Sequence, residues 1–282
     1  MFVCLDWKLP THMSRASQSH SSLHASSAQS GGYIRGGTID ISVEGNAAVD
    51  GQISADGRGF GPGQGPSAPP AYEPTSCQLF ASGGGGGGGG DGGRGVLQSN
   101  TAPCTNPSGP EGDAQGGVAF GSAVDPWPMG YGSGGADGFD YLVAACPPSV
   151  PGGNDGQCEG DSSPHGRVRP GVGGAGGGKI RIIVDGEIRI GSSGRIAANG
   201  ANGLVGQPAN QYNGGGGGGG GTVVVAAASF HADTEGRIEA DGGIGPETYY
   251  GGSGGGGRLS IDVGQPIPDT LELSATGGPV SG

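Results

Sequence analysis

The sequence predicts an all-β chain, a short parallel β-solenoid (β-helix) of about four irregular coils joined by long glycine-rich, partly polyglycine-II-like loops. Three observations carry that expectation. A frame recurs four times, apolar residues alternate with period two inside it, and the glycine runs stand beside the copies rather than being scattered.

The four copies are "GGTIDISVEGNAAVDGQISADG" (Gly36 to Gly57), "GGKIRIIVDGEIRIGSSGRIAANG" (Gly177 to Gly200), "GGTVVVAAASFHADTEGRIEADG" (Gly220 to Gly242) and "GGRLSIDVGQPIPDTLELSATGG" (Gly256 to Gly278). Each opens on two glycines and an alternating strand: Ile39, Ile41, Val43; Ile180, Ile182, Val184; Val223, Val225, Ala227; Leu259, Ile261, Val263. Alternation of this kind predicts one buried face. A shorter strand follows, with Ile53/Ala55, Ile196/Ala198 and Ile238/Ala240. The pairs Asp56-Gly57, Asn199-Gly200 and Asp241-Gly242 are then expected to turn the chain through positive φ at glycine. The fourth copy departs from the frame at Leu271, Leu273 and Thr276-Gly277, as a capping copy would. One copy cannot bury its own apolar face. Stacked copies can, with equivalent strands about 4.8 Å apart and parallel.

Composition sets the limits. Glycine accounts for 71 residues and proline for 21 of 282, a proportion that by itself suggests low complexity. No strict G-X-Y period exists, so collagen is excluded. The formal charge of −12 argues against a nucleic-acid partner, because phosphate contacts need clustered Lys and Arg. No apolar run approaches the ~20 residues of a transmembrane segment. The opening "MFVCLDWKLP" lacks a signal-peptide pattern, and the expectation from it is a truncated start.

The domain reading follows from these features: residues 1–32 a disordered leader, 33–59 the first coil, 60–176 a glycine-rich insertion, and 177–282 coils two to four. The leader holds His20 and His24 in a polar, Ser-rich context that does not point to metal. Glycine runs over Gly83 to Gly90 and Gly214 to Gly221 admit two readings. They are flexible linkers, or they are extended polyproline-II-like strands packed through backbone hydrogen bonds, because no Cβ holds them apart. The insertion contains Cys77, Cys104, Cys146 and Cys158, with no C-x-x-C pair. Two disulfides, in any of three pairings, are the reading preferred over four free thiols or a zinc site, and they imply an oxidising, extracellular compartment.

The insertion also carries a resemblance. "GGGGGGGGDGGRG" (Gly83 to Gly95), "GGVAFGSAVDPWPMGYGSGG" (Gly116 to Gly135), "GGAGGGKIRIIVDG" (Gly173 to Gly186) and "GRIAANGANG" (Gly194 to Gly203) resemble, in order, the glycine-rich repeat family of large secreted or cell-surface bacterial proteins with plant relatives. That resemblance implies a secreted or surface location and a β-rich, solenoid-like scaffold. It transfers no catalytic residue. The cysteine-bearing segments depart from the family's pattern.

Candidate chemistry is sparse. Trp127, Tyr131, Phe139 and Tyr141 are the candidate ligand-binding residues, as a sugar-stacking platform, and the competing reading is that they anchor their loop. Turn carboxylates Asp56, Asp185, Glu235 and Asp241 invite Ca²⁺ weakly, since Asp-Gly is also ordinary turn chemistry. "GGADGFDYL" (Gly134 to Leu142) is one imperfect copy of a calcium-type nonapeptide. No cofactor and no catalytic residue is assigned. The functional expectation is a non-catalytic secreted or cell-surface structural or adhesive module, with polysaccharide or cell-surface components as partners. End-to-end self-association, or membership of a longer array, is expected from the exposed strand edges at the ends of a short stack. The alternative is a polysaccharide lyase or hydrolase, which requires carboxylates such as Asp40 and Asp262 to converge beside Arg181. An ice- or mineral-binding array ranks last, because Lys179 and Arg258 interrupt the Thr38 and Thr222 positions. Non-reducing peptide mapping checks the cysteine reading: two cross-linked pairs among Cys77, Cys104, Cys146 and Cys158 are expected, with Cys4 alone taking up alkylating agent.

Overall fold

The computed structural model describes residues 20–24, 33–35, 37–69, 80–81, 84–95, 97–98, 115–121, 130–140, 171–206, 214–246 and 251–279. No helix occurs among them, so none there is long and apolar enough to cross a membrane. The chain is all-β and its principal sheets are parallel.

In chain order the strands are β1 (His20–His24), β2 (Tyr33–Arg35), β3 (Thr38–Val43), β4 (Ala47–Val49), β5 (Gln52–Ser54), β6 (Phe80–Ala81), β7 (Leu97–Gln98), β8 (Phe139–Asp140), β9 (Lys179–Ile190), β10 (Arg195–Ala197), β11 (Thr222–Ala232), β12 (Arg237–Glu239), β13 (Arg258–Val263) and β14 (Glu272–Ser274). The long strand of each copy enters one sheet, ordered β1-β3-β9-β11-β13, with β4 also paired to β9. The short strand of each copy enters a second, ordered β2-β5-β10-β12-β14. Pairing is parallel and follows the repeat frame, with Ile39 opposite Ile180, Ile180 opposite Val223, and Val223 opposite Leu259. A small antiparallel sheet, β7-β6-β8, lies within the insertion. Strand β1 falls inside the residues 1–32 expected as a leader and pairs with β3 from His20–Thr38 to His24–Ser42.

Two features of the copies exceed the sequence expectation. The stretch between the two strands in copies two and three, which the alternation leaves unassigned, continues as strand and places Ile188, Ile190, Phe230 and Ala232 in the core. A bulge separates the halves, since Asp185 and Gly186 of β9 face the single Ala228 of β11. Inward side chains of both sheets make one core, in which Ile180, Ile188, Ile190, Ile196, Val223, Val225 and Ile238 are fully buried. Each such side chain stabilises the fold by roughly 1.5–3 kcal/mol.

The glycine runs are ordered where they are described. Along Gly214–Gly221 the backbone hydrogen bonds recur with a period of three, the pattern that polyproline-II geometry gives. Gly215, Gly218 and Gly221 donate to Leu204, Ala201 and Ala198 at 2.8–2.9 Å. Gly216 and Gly219 donate to Ala136 and Ser133, and Gly217 and Gly220 to Gly252 and Gly255. Three further segments donate to its carbonyls: Gly174 and Gly177 to Gly216 and Gly219, Gly86 to Gly217, and Gly243 to Gly218. One glycine segment therefore has six neighbours. The insertion supplies three of them, through Gly86, through Ser133 and Ala136, and through Gly174, so it belongs to the same body as the copies.

The Asx-Gly turns need correction on this basis. Gly57 has the expected positive φ, at 60°, but Gly200 and Gly242 do not. These two continue into the glycine bundle, where an added Cβ would overlap the carbonyl oxygens of Gly218 and Gly254. Close approach, not left-handed backbone, requires glycine there.

The energetics of the bundle are nearly balanced. Ordering each glycine costs about 1–2 kcal/mol. One N–H···O bond per residue returns about 0.5–1.5 kcal/mol net, and Cα–H···O contacts add about 0.5–1 kcal/mol each. The aliphatic core between the sheets decides the sign. Gly218→Ala drives a methyl into the Ala175 carbonyl and is expected to destabilise by about 3 kcal/mol or more. Gly90→Ala, whose nearest contact is 3.6 Å away, is expected to be close to neutral in the same thermal-unfolding measurement.

Candidate functional site

The aromatic candidates divide by position. Trp127 and Tyr141 lie outside the described residues, as do Cys77, Cys104, Cys146 and Cys158. Phe139 is in β8, its backbone paired with Ala81. Tyr131 is half-buried at the corner where the insertion meets the first sheet. Its hydroxyl is hydrogen-bonded to Thr38 Oγ1, its ring meets Phe60 edge-on at 5.8 Å, and Lys179 Nζ lies 4.9 Å from the ring centre. Nearby, Arg258 lies over the Phe120 ring and donates from Nη2 to the Phe120 carbonyl.

These contacts share one row. Thr38, Lys179, Thr222 and Arg258 are register-matched first residues of the long strands. The row reads as outward-facing in the alternation. Yet Thr38 is 6% and Thr222 1% exposed, so the insertion lies over it. Aromatic faces accept the two cations that this burial would otherwise leave desolvated. Burial lowers the pKa of Lys179, with the neighbouring Arg181 pushing in the same direction. Burial likewise lowers that of Arg258. Tyr131 thus makes anchoring contacts from the same position that suggested ligand contact.

The second polar constellation crosses the short strands. Arg195 donates to Glu239 Oε2 from Nε at 2.9 Å and from Nη2 at 2.6 Å, and to Asp56 Oδ2 from Nη1 at 3.1 Å. Three successive copies are pinned by one guanidinium. Glu239 is only 8% exposed, and Asn199 Nδ2 also donates to it at 3.2 Å. Burial works against the charge on Arg195, but its hydrogen bond to Glu239 and the Asp56 charge outweigh it and raise the pKa.

Beside this cluster the Asx residues form a ladder. Asp56 Oδ1 accepts from Asn199 N at 2.7 Å, Asn199 Oδ1 from Asp241 N at 2.6 Å, and Asp241 Oδ1 from Thr276 N at 2.8 Å. Each side chain caps the equivalent amide of the next copy. The ladder stops at Thr276, whose hydroxyl lies 3.1 Å back toward Asp241 Oδ1. The sequence pattern I-x-A-[D/N]-G contains this ladder, but read one copy at a time it resembles a turn signal.

The carboxylates proposed for chemistry do not converge. Asp40 is paired with Arg181 on the adjacent strand, and that hydrogen bond raises the arginine's pKa. Asp262 lies on β13, three strands from β3, which is roughly 14 Å at 4.8 Å per strand. Paired glycosidase carboxyls stand about 5–9.5 Å apart. No group of three or more His, Cys, Asp or Glu side chains among the described residues could hold a metal ion. Asp56 and Asp241 accept backbone amides instead, and Asp185 sits at the β9 bulge. His231 faces Asp233 at 3.5 Å, and Asp233 is held by Arg189 at 2.9 Å, the bond that chiefly lowers its pKa.

Comparison with protein-family models, with curated proteins and with solved structures returned no match for this chain. The polar geometry is therefore the basis for a functional reading. Arg195→Met would strand the buried Glu239 carboxylate and is expected to cost about 3–5 kcal/mol in denaturant unfolding. Adding Glu239→Leu to that variant is expected to restore most of the loss.

Proposed function

We propose that this chain is a non-catalytic structural or adhesive module, built as a short β-solenoid in which each copy is one coil, and that it works at the cell surface or in the extracellular space. One observation carries the reading: the Asx side chains and most of the described ion pairs bind copy to copy rather than converging on a cleft. Arg195, Asp56, Asn199, Glu239, Asp241, Asp40 and Arg181 are all engaged in that way. A scaffold needs such bonds, whereas a hydrolase or lyase needs carboxylates left for substrate. Further support comes from parallel strands in one register across every copy, which a solenoid generates directly. The extracellular assignment rests on the four cysteines of the insertion and on the family resemblance.

Polysaccharide is the proposed ligand class, bound through the insertion loops that carry Trp127 and Tyr141. The test incubates the oxidised full chain with plant and microbial polysaccharides and follows retention together with release of reducing or unsaturated ends. Retention without release is the expected outcome, weakened in Trp127→Ala. Release of new ends would replace this reading with the lyase or hydrolase one.

A further inference from the structure

The strand that ends the first sheet is self-complementary. β13 reads Arg258-Leu259-Ser260-Ile261-Asp262, with Arg258, Ser260 and Asp262 on the outward face and Leu259 and Ile261 on the inward one. Beyond β13 and β14 neither sheet has a further strand among the described residues. The inward residues at this end are correspondingly uncovered. Leu273 is 42% exposed, while Ile53, Ile196 and Ile238 of the same row are 5%, 0% and 0% exposed. Leu259, Ile261 and Val263 are half-buried, although their counterparts in β9 are almost completely covered.

The charges at this edge are also unmatched. Among the described residues Arg258 reaches a carbonyl and a ring but no carboxylate, and the exposed Asp262 pairs with no cation. They are four residues apart on one extended strand, about 13 Å, too far to pair with each other. An antiparallel copy of β13 centred on Ser260 removes the mismatch. Arg258 then stands opposite the second copy's Asp262, Asp262 opposite its Arg258, and Leu259 opposite its Ile261. Directly opposed residues share a face in an antiparallel pair, so the ionic pairs fall outward and the aliphatic pairs inward.

We infer that two copies of this chain associate through the β13–β14 edge about a twofold axis. Both sheets end on the same side of the stack, so the axis that pairs the β13 edges also brings the β14 edges toward each other. The interface is isologous and closes at the dimer, the commonest symmetry of soluble oligomers. A parallel, head-to-tail continuation fits this edge less well. Thr276 turns its hydroxyl back to Asp241 and offers no carboxylate to a next copy, ending the Asx ladder. Pro266 and Pro268, which replace the second half of the long strand, lack the N–H groups that a parallel neighbour would require.

The inference is independent of the ligand proposed above, and its test is the mass of the full oxidised chain by sedimentation equilibrium across micromolar concentrations. A monomer–dimer equilibrium is expected. Asp262→Lys converts both reciprocal pairs into repulsions and is expected to weaken the dimer at least about tenfold. Combining it with Arg258→Glu is expected to restore association, a rescue specific to the antiparallel register. Because Arg258 also holds Phe120, Leu273→Lys serves as a second edge variant that leaves this contact intact, and it too is expected to dissociate the dimer. A monomer at every concentration, a dimer indifferent to Asp262→Lys and Leu273→Lys, or growth beyond the dimer would each overturn the inference.

Discussion

The absence of space around one glycine segment organises the molecule. Gly214–Gly221 donates to three neighbours and accepts from three others, and added Cβ atoms along it would enter the backbones of those neighbours. Threefold symmetry leaves no direction free, because each residue points at one of the surrounding chains. Side chains are excluded by the same geometry that supplies the hydrogen bonds. Specificity in this layer therefore comes from length and position alone, since a glycine helix cannot distinguish one register from the next.

Register must be set elsewhere, and the sheets set it. Slipping a strand by one residue would turn its apolar set outward, so Ile180, Ile182 and Val184 fix β9 against β3 and β11. The glycine segments leading into and out of those strands are then held in phase. Arg195 and the Asx ladder lock the return strands of successive copies in the same way. The bundle supplies close packing without selectivity and the sheets supply selectivity, so neither layer is well defined without the other. Loops can vary in length between copies because they lie outside both.

Much of this was legible in the sequence, for reasons that also explain what was not. Period-two alternation exposes β3, β9, β11 and β13 because a half-buried strand writes its burial into consecutive residues. The core residues Ile188 and Phe230 were not expected, since the β9 bulge at Asp185-Gly186 breaks the period just before them. The burial of Thr38 was invisible because Tyr131, which caps it, comes from far along the chain. The Asx ladder was present in the letters but carries meaning only between copies. The glycine runs left two readings open, because a polyglycine stretch has the same sequence whether it is solvated or packed.

The composition follows from the architecture rather than from disorder. A bundle of glycine segments requires no side chains in its interior, and two short sheets require only a few aliphatic rows. A chain built this way has a low hydrophobic fraction and a high glycine content while engaging most of its described glycine N–H groups in hydrogen bonds. Its charged residues are then free for a different task. On this molecule most of them mark the boundaries between copies, joined by salt bridges and amide caps, while Arg258 and Asp262 of β13 have no oppositely charged partner among the described residues. Charges paired where copies meet and unpaired on β13 are the asymmetry on which the inferred twofold association rests.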